Sequence, residues 1–110
     1  MPGKFLAEFE LYVMLAIAQK GDQAYGAVVR EEIEARTGRP VSIGALYATL
    51  ARLEAKGLIT LRTARQVVGQ RGRARRYCRL TPQGAGALRH STTMLGRMMR
   101  GLKLASGGGK

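Results

Sequence analysis

The chain has 110 residues with one cysteine and a net charge of +12, which fits one small domain that a partner chain would help to stabilise and excludes an internal disulfide framework. All seven acids lie in the first 54 residues, and from Ala55 onward only basic residues carry charge. Surfaces made for solubility intersperse both signs, so this segregation points to a polyanionic partner.

The first helix is expected from about Phe5 to Lys20. Phe5, Phe9, Tyr12 and Ala16 form one apolar stripe and Leu6, Val13 and Ile17 a neighbouring one, so the helix needs two partners. Its apolar run, Leu11 to Ala18, is too short for a membrane span, which takes about 20 residues. Ala16-Ile17-Ala18 has the look of a signal-peptidase site, but Glu8 and Glu10 stand where a signal sequence carries positive charge, so export is not expected. The lone cysteine and the absence of a leader suit a cytoplasmic protein. Gly21-Asp22-Gln23 then leads into a second helix from roughly Ala24 to Thr37, with Tyr25, Val29 and Ile33 in one row and Glu31, Glu32 and Glu34 turned mostly outward. Gly38 ends it, and Gly38-Arg39-Pro40-Val41 is the short glycine-containing turn that a helix-turn-helix requires.

The third helix has the sharpest local signals. Ser42 is a good N-cap, and Val41 is placed to meet Leu46 as a hydrophobic staple. Ile43, Leu46, Leu50 and Leu53 form the stripe expected to be buried. Gly44, Ala45, Ala48, Ala51 and Arg52 lie on or near the opposite side, where small residues let a helix backbone approach a DNA groove. Ser42, Tyr47, Thr49, Arg52 and Lys56 stand around the rim as donors to phosphates or base edges.

A hairpin follows. Leu58 to Val68 reads as one strand and Arg75 to Leu80 as its return, joined through the tip Gly69-Gln70-Arg71-Gly72-Arg73. Arginines at such a tip can enter a minor groove or clamp its phosphates, so Gln70, Arg71, Gly72, Arg73 and Arg75 join the candidate DNA contacts, while Arg62 and Arg79 protect the strand edges. No aromatic residue lies at the tip, and the whole chain has only Phe5, Phe9, Tyr12, Tyr25, Tyr47 and Tyr77. Stacking platforms for RNA or single strands normally need such rings, so duplex DNA is the expected polyanion.

Thr81-Pro82 opens a last helix that is expected to reach Leu104. Ala85, Leu88, Thr92, Leu95, Met99 and Leu102 recur along it as an a/d seam. With Leu6, Phe9 and Val13 of the first helix, Leu88, Thr92, Leu95, Met99 and Leu102 are the candidate dimer interface. The expected organisation is a winged helix-turn-helix over residues 1–81, a C-terminal dimerisation helix over 82–105 that belongs to the same structural unit, and a flexible tail over 106–110. The fold class is α+β and mainly helical.

Other chemistry is thin. His90 has no Cys, Asp or Glu near it on its helix, so neither a metal site nor a catalytic base is expected there. Cys78 reads as a small core hydrophobe, although Arg76 and Arg79 beside it would favour a thiolate. No glycine-rich phosphate loop follows a strand and opens a helix. No enzyme, metal or cofactor is expected.

Several spaced motifs in one order also carry a family resemblance. Tyr25-Gly26, Val41-Ser42-Ile43-Gly44-Ala45-Leu46-Tyr47 continuing through Leu50, Arg52-Leu53-Glu54 and Gly57-Leu58-Ile59, then Gly72-Arg73, Arg76-Tyr77 and Leu80-Thr81 with Gly84, resemble the PadR family of bacterial transcriptional regulators. The resemblance spans about residues 5–104. It implies a winged helix-turn-helix that dimerises through its first and last helices, binds a two-fold symmetric operator and usually represses. It also implies that Ser42, Tyr47 and the surrounding helix face contact the operator, with Gly72 and Arg73 at the wing. Ala45 stands where the family often has Thr, which removes one hydroxyl from that face. Some small members take aromatic effectors in a central pore, often against a tryptophan. This chain has no Trp, so that mode is not expected and any small-molecule effector is unknown. Two other classes compete: a non-specific architectural nucleic-acid binder held by charge alone, and a winged-helix protein-interaction module, against which the all-basic second half stands.

Overall fold

The computed structural model of the protein describes residues 6–64 and 75–104. The start of the first helix at Phe5, the strand beyond Ala64 with Arg65, the hairpin tip with Gln70, Arg71, Gly72 and Arg73, and the tail from residue 105 lie outside the described residues. Helix α1 spans Glu8–Lys20. Its wide apolar surface buries Val13, Met14, Ala16 and Ile17 and partly covers Phe9, Leu11, Tyr12 and Leu15, as a helix with two partners should, and Leu6 just before the helix is partly buried too. Glu10, between these faces, is buried as well.

Helix α2 spans Gly26–Thr37 and begins later than its apolar row suggests. Ala24 and Tyr25 are spent on the hairpin instead: the Cys78 N–H donates to the Ala24 carbonyl at 2.7 Å, and Tyr25 forms an antiparallel bridge with Tyr77. Gly38 takes the left-handed conformation, φ 73°, that a C′ glycine permits. The acids of α2 are less outward than its pattern indicates. Glu34 Oε2 accepts from the Val41 N–H at 2.7 Å, while Arg30 Nε donates to the Val41 carbonyl at 2.7 Å. Both backbone groups of Val41 are thus held by side chains of α2, which sets the angle at which the next helix departs. Glu32 is clasped by Lys20 at 3.2 Å and by Arg36, tying α1 to α2.

Helix α3 spans Ile43–Ala55, and Ser42 Oγ accepts from the Ala45 N–H at 3.0 Å, as an N-cap does. Leu46, Leu50 and Leu53 are buried, but Ile43 is 54% exposed. It is the first residue of the helix and projects past the edge of the core. Thr49 takes the fourth buried place. Gly57, at φ 78°, turns the chain into strand β1, Ile59–Ala64, which pairs antiparallel with β2, Arg75–Leu80, from Ile59↔Leu80 to Ala64↔Arg75.

Helix α4 spans Pro82–Met99. Thr81 fastens its start: Oγ1 accepts from the Gly84 N–H at 2.9 Å and donates to the Gly57 carbonyl at 2.7 Å, and the Thr81 N–H donates to the Leu58 carbonyl at 3.0 Å. The helix stops short of Leu104 because Gly101 takes φ 80° and the Leu102 N–H turns back to the Met99 carbonyl. Leu102 therefore lies beyond the helix rather than on its seam. Leu88 enters the same core as Val13, so these two candidate interface residues are spent inside the chain, because the first half of α4 closes over α1.

Candidate nucleic-acid interface

The outward face of α3 is built from Gly44, Ala48, Ala51 and Ala55, all exposed. A Cβ added at Gly44 would meet no atom within 4 Å, so this face is open to a groove. It is made of methyl groups and backbone, because the polar side chains of the helix are engaged elsewhere. Ser42 accepts the cap bond, which leaves its hydroxyl hydrogen to donate outward. The Tyr47 hydroxyl lies against Gly26, where an added Cβ would overlap it. Thr49 is 2% exposed and cannot reach DNA; its hydroxyl accepts from Arg52 Nη2 at 3.0 Å. This corrects its place among the candidate contacts, and the reason is the angular position that it shares with the core stripe.

Arg52 and Lys56 turn toward α1. Lys56 Nζ donates to Glu10 Oε2 at 2.9 Å, Arg52 Nε stands 3.7 Å from the same oxygen, and the Ala7 N–H donates to Glu10 Oε1 at 3.1 Å. Burial disfavours the Glu10 carboxylate, but the bonds from Lys56 and Ala7 and the charges of Lys56 and Arg52 outweigh it and hold the carboxyl below its ordinary pKa. A depressed folded-state pKa contributes stability that is present above the unfolded-state value and lost as pH falls through the folded-state value. Glu10→Gln is expected to cost about 1–2 kcal/mol at pH 7, below the roughly 3–5 kcal/mol of a fully buried pair because both cations are partly solvated. The deficit should shrink as pH drops below the ordinary carboxylate range. Urea melts at several pH values check this, and a pH-independent deficit would contradict it.

On the hairpin, Arg75 lies over the Tyr25 ring at 4.5 Å, Arg62 over Tyr77 at 5.5 Å and Arg76 over Tyr47 at 5.8 Å. Tyr25 and Tyr77 meet edge to face with centroids 5.5 Å apart. Arg79 pairs with Asp22 at 3.5 Å, both well exposed. Sequence reasoning missed these platforms: the three tyrosines are remote along the chain, and only the Tyr25–Tyr77 bridge and the packing of α3 beside the hairpin bring them together. The alternation on β2 was the one available signal, since it places Arg75 and Tyr77 on one face and Arg76 and Cys78 on the other.

Away from this surface, the second half of α4 exposes Leu95, Met98 and Met99, followed by Leu102 and Leu104. Thr92 is exposed too, its hydroxyl turned back onto the Leu88 carbonyl at 3.0 Å. An apolar groove of about 230 Å³ runs between α1 and α2, lined by Tyr12, Leu15, Ala16 and Ile33 with Glu32 and Arg36 among its polar residues. Cys78 is buried, and burial, against the opposing charge of Arg76, pushes its thiol up to about 11. It is protonated at neutral pH and packs as a small hydrophobe. Among the described residues no three His, Cys, Asp or Glu side chains come together as a metal site would need.

Residues 14–90 match the transcriptional regulator PadR-like family. Transcriptional regulator Rv3488 of Mycobacterium tuberculosis is 42% identical over 79 residues, which cover 72% of this chain and 69% of that protein. Among solved structures, a PadR-like transcription factor from Bacteroides fragilis superposes with a TM-score of 0.70 at 23% identity, covering 82% of each chain. RosR of H. salinarum does so with a TM-score of 0.69 at 21% identity, over 89% of this chain and 81% of its own. At those identities the solved structures speak to the fold, a winged helix-turn-helix.

Proposed function

Since this chain belongs to the PadR-like family of transcriptional regulators, which act by binding DNA, we propose that two copies of it bind a two-fold symmetric operator and repress transcription by excluding polymerase. The observation that carries this reading is the open methyl face of α3 beside a hairpin whose arginines are held over tyrosine rings. Gly44, Ala48 and Ala51 let the α3 backbone approach base edges closely, and the methyl groups of Ala48 and Ala51 suit the C5-methyl of thymine rather than a hydrogen-bonding edge. Ser42 donates to a phosphate at the groove lip, and the hairpin tip with Gln70, Arg71, Gly72 and Arg73 reaches the backbone or minor groove beyond.

The dimer reading rests on complementary features of one chain. The exposed Leu95, Met98 and Met99 need cover that the single chain does not provide, and the groove between α1 and α2 offers an apolar bed. Arg97, Arg100 and Lys103 flank the first, while the groove and its continuation carry both signs, Glu8 and Glu32 with Arg36 and Arg39. Leu6 and Phe9, half-buried in one chain, complete the interface. No described helix is long and apolar enough to cross a membrane, and a DNA-bound repressor works in the cytoplasm.

Selection from random duplexes tests this. The expected result is an inverted repeat whose half-sites lie about one helical turn apart. Replacing the half-site thymines by uracil, which removes only the C5-methyl, should then weaken binding severalfold. Equal binding to random DNA and to RNA, with no sequence enriched, would overturn the reading in favour of an architectural protein held by charge alone.

A further inference from the structure

Among the described residues, the lysines and arginines close to a carboxylate or a ring fall into two environments. Lys20, Arg30, Arg36, Arg52, Lys56 and Arg79 pair with carboxylates. Arg62, Arg75 and Arg76, all on the hairpin, lie over tyrosine rings instead. The two environments have opposite consequences for binding an anion. A carboxylate takes up N–H donors and cancels the charge. A ring does not cancel the charge and takes up fewer of the donors, although Arg75 also shares a side-chain hydrogen bond with Tyr77.

The strand geometry explains how six residues form this arrangement. Pairing puts Arg62 directly opposite Tyr77, and the bridge from Tyr25 to Tyr77 extends that row across the hairpin. Arg75, two residues from Tyr77 on the same face, reaches the Tyr25 ring. Arg76 points to the other face, toward α3, and meets Tyr47, whose hydroxyl is lodged against Gly26. Rings anchored in this way restrict the arginine rotamers before any ligand arrives, so less side-chain entropy is lost on binding.

We propose that Arg62, Arg75 and Arg76 on Tyr77, Tyr25 and Tyr47 form a two-sided phosphate-binding platform at the base of the wing, Arg62 and Arg75 on one face of the hairpin and Arg76 on the other, in which Tyr47 is a positioning residue for Arg76 rather than a contact to DNA. This assigns Arg62 and Arg76 to the interface and gives the wing a grip on the duplex that does not depend on its tip. The platform rests on the reading of the chain as a duplex-DNA regulator. Phosphate contacts carry no sequence information, so the platform contributes equally to operator and scrambled duplex.

The test is fluorescence anisotropy of the full chain on the selected operator and on scrambled duplex across a salt series, with a thermal melt of every variant. Absence of salt-dependent duplex binding by the wild type would sink the DNA reading itself and the platform with it. Where the wild type binds, Arg76→Gln and Arg75→Gln should each lower the slope of log affinity against log salt by about 0.9, roughly an eightfold loss at 0.1 M salt, on both duplexes. Tyr47→Leu changes no charge yet should give the same loss as Arg76→Gln, and Tyr47→Phe should restore the wild-type slope. An unchanged slope in Arg76→Gln, or a Tyr47→Phe as damaging as Tyr47→Leu, overturns the proposal; the second result would make the hydroxyl the contact. If Tyr47→Leu melts out, Tyr25→Leu takes its place: with the slope of Arg75→Gln it supports the platform, and with the wild-type slope it refutes it.

Discussion

Gly84→Ala is expected to destabilise the fold by about 3 kcal/mol, the upper end of the overpacking range, because the atoms it meets cannot yield. Gly84 lies in the first turn of α4 directly over Leu58. A Cβ there would overlap the Leu58 carbonyl oxygen and stand 2.9 Å from its carbon and 3.3 Å from its Cα. Neither side of this contact can move aside. The Leu58 carbonyl accepts from the Thr81 N–H and its own N–H donates to the Leu53 carbonyl, both at 3.0 Å, while the Gly84 N–H is held by Thr81. Relief would require α4 to lift, drawing Leu88 out of the core it shares with Val13 and Leu50. Gly96→Ala is the control, since a Cβ there meets nothing within 4 Å and helix propensity favours Ala by roughly 1 kcal/mol. Urea denaturation of both variants checks this, and a Gly84→Ala protein as stable as wild type would mean that α4 does not seat on the hairpin in this way.

The double substitution Leu95→Glu with Met99→Glu is expected to produce a folded monomer with at least a hundredfold weaker operator binding at nanomolar protein. Both residues are about half exposed in the single chain, and Met98 between them is 80% exposed, so the core has little to lose from the change. In the proposed dimer the loss arises because the two recognition helices on one duplex are held together only through the interface. Breaking it removes the high effective concentration of the second recognition helix. Analytical ultracentrifugation gives the assembly state and anisotropy gives the affinity. A double variant that remained dimeric with wild-type affinity would place the interface elsewhere.

Much of this architecture is legible in the chain because its causes are short-ranged. A hydroxyl at Ser42 finds an amide three residues on, a glycine at position 38 accepts a left-handed φ, and Thr81-Pro82 starts a helix that cannot begin earlier; each of these acts within one turn. Periodicity likewise marks Leu46, Leu50 and Leu53 as core. It misplaced Ile43 and Thr49, because a stripe drawn from spacing has no end, whereas the actual core stops before Ile43 and widens to take in Thr49. The seam of α4 was legible as a pattern, but the pattern does not record that its first half is used inside the chain, or that Gly101 ends the helix before Leu102.

The candidate DNA surface divides along the same line. The sequence by itself pointed to a polyanionic partner and determined the third helix, the cap that starts it and the basic hairpin beside it, since charge content and local hydrogen bonding are properties of nearby residues. Only the tertiary structure decided which cations remain available. Arg52 and Lys56 are drawn to a buried Glu10, and Arg62, Arg75 and Arg76 are set on tyrosines. Those partners lie a helix or more away along the chain, and whether a charge is cancelled or presented depends on distances of a few ångströms that only packing brings about.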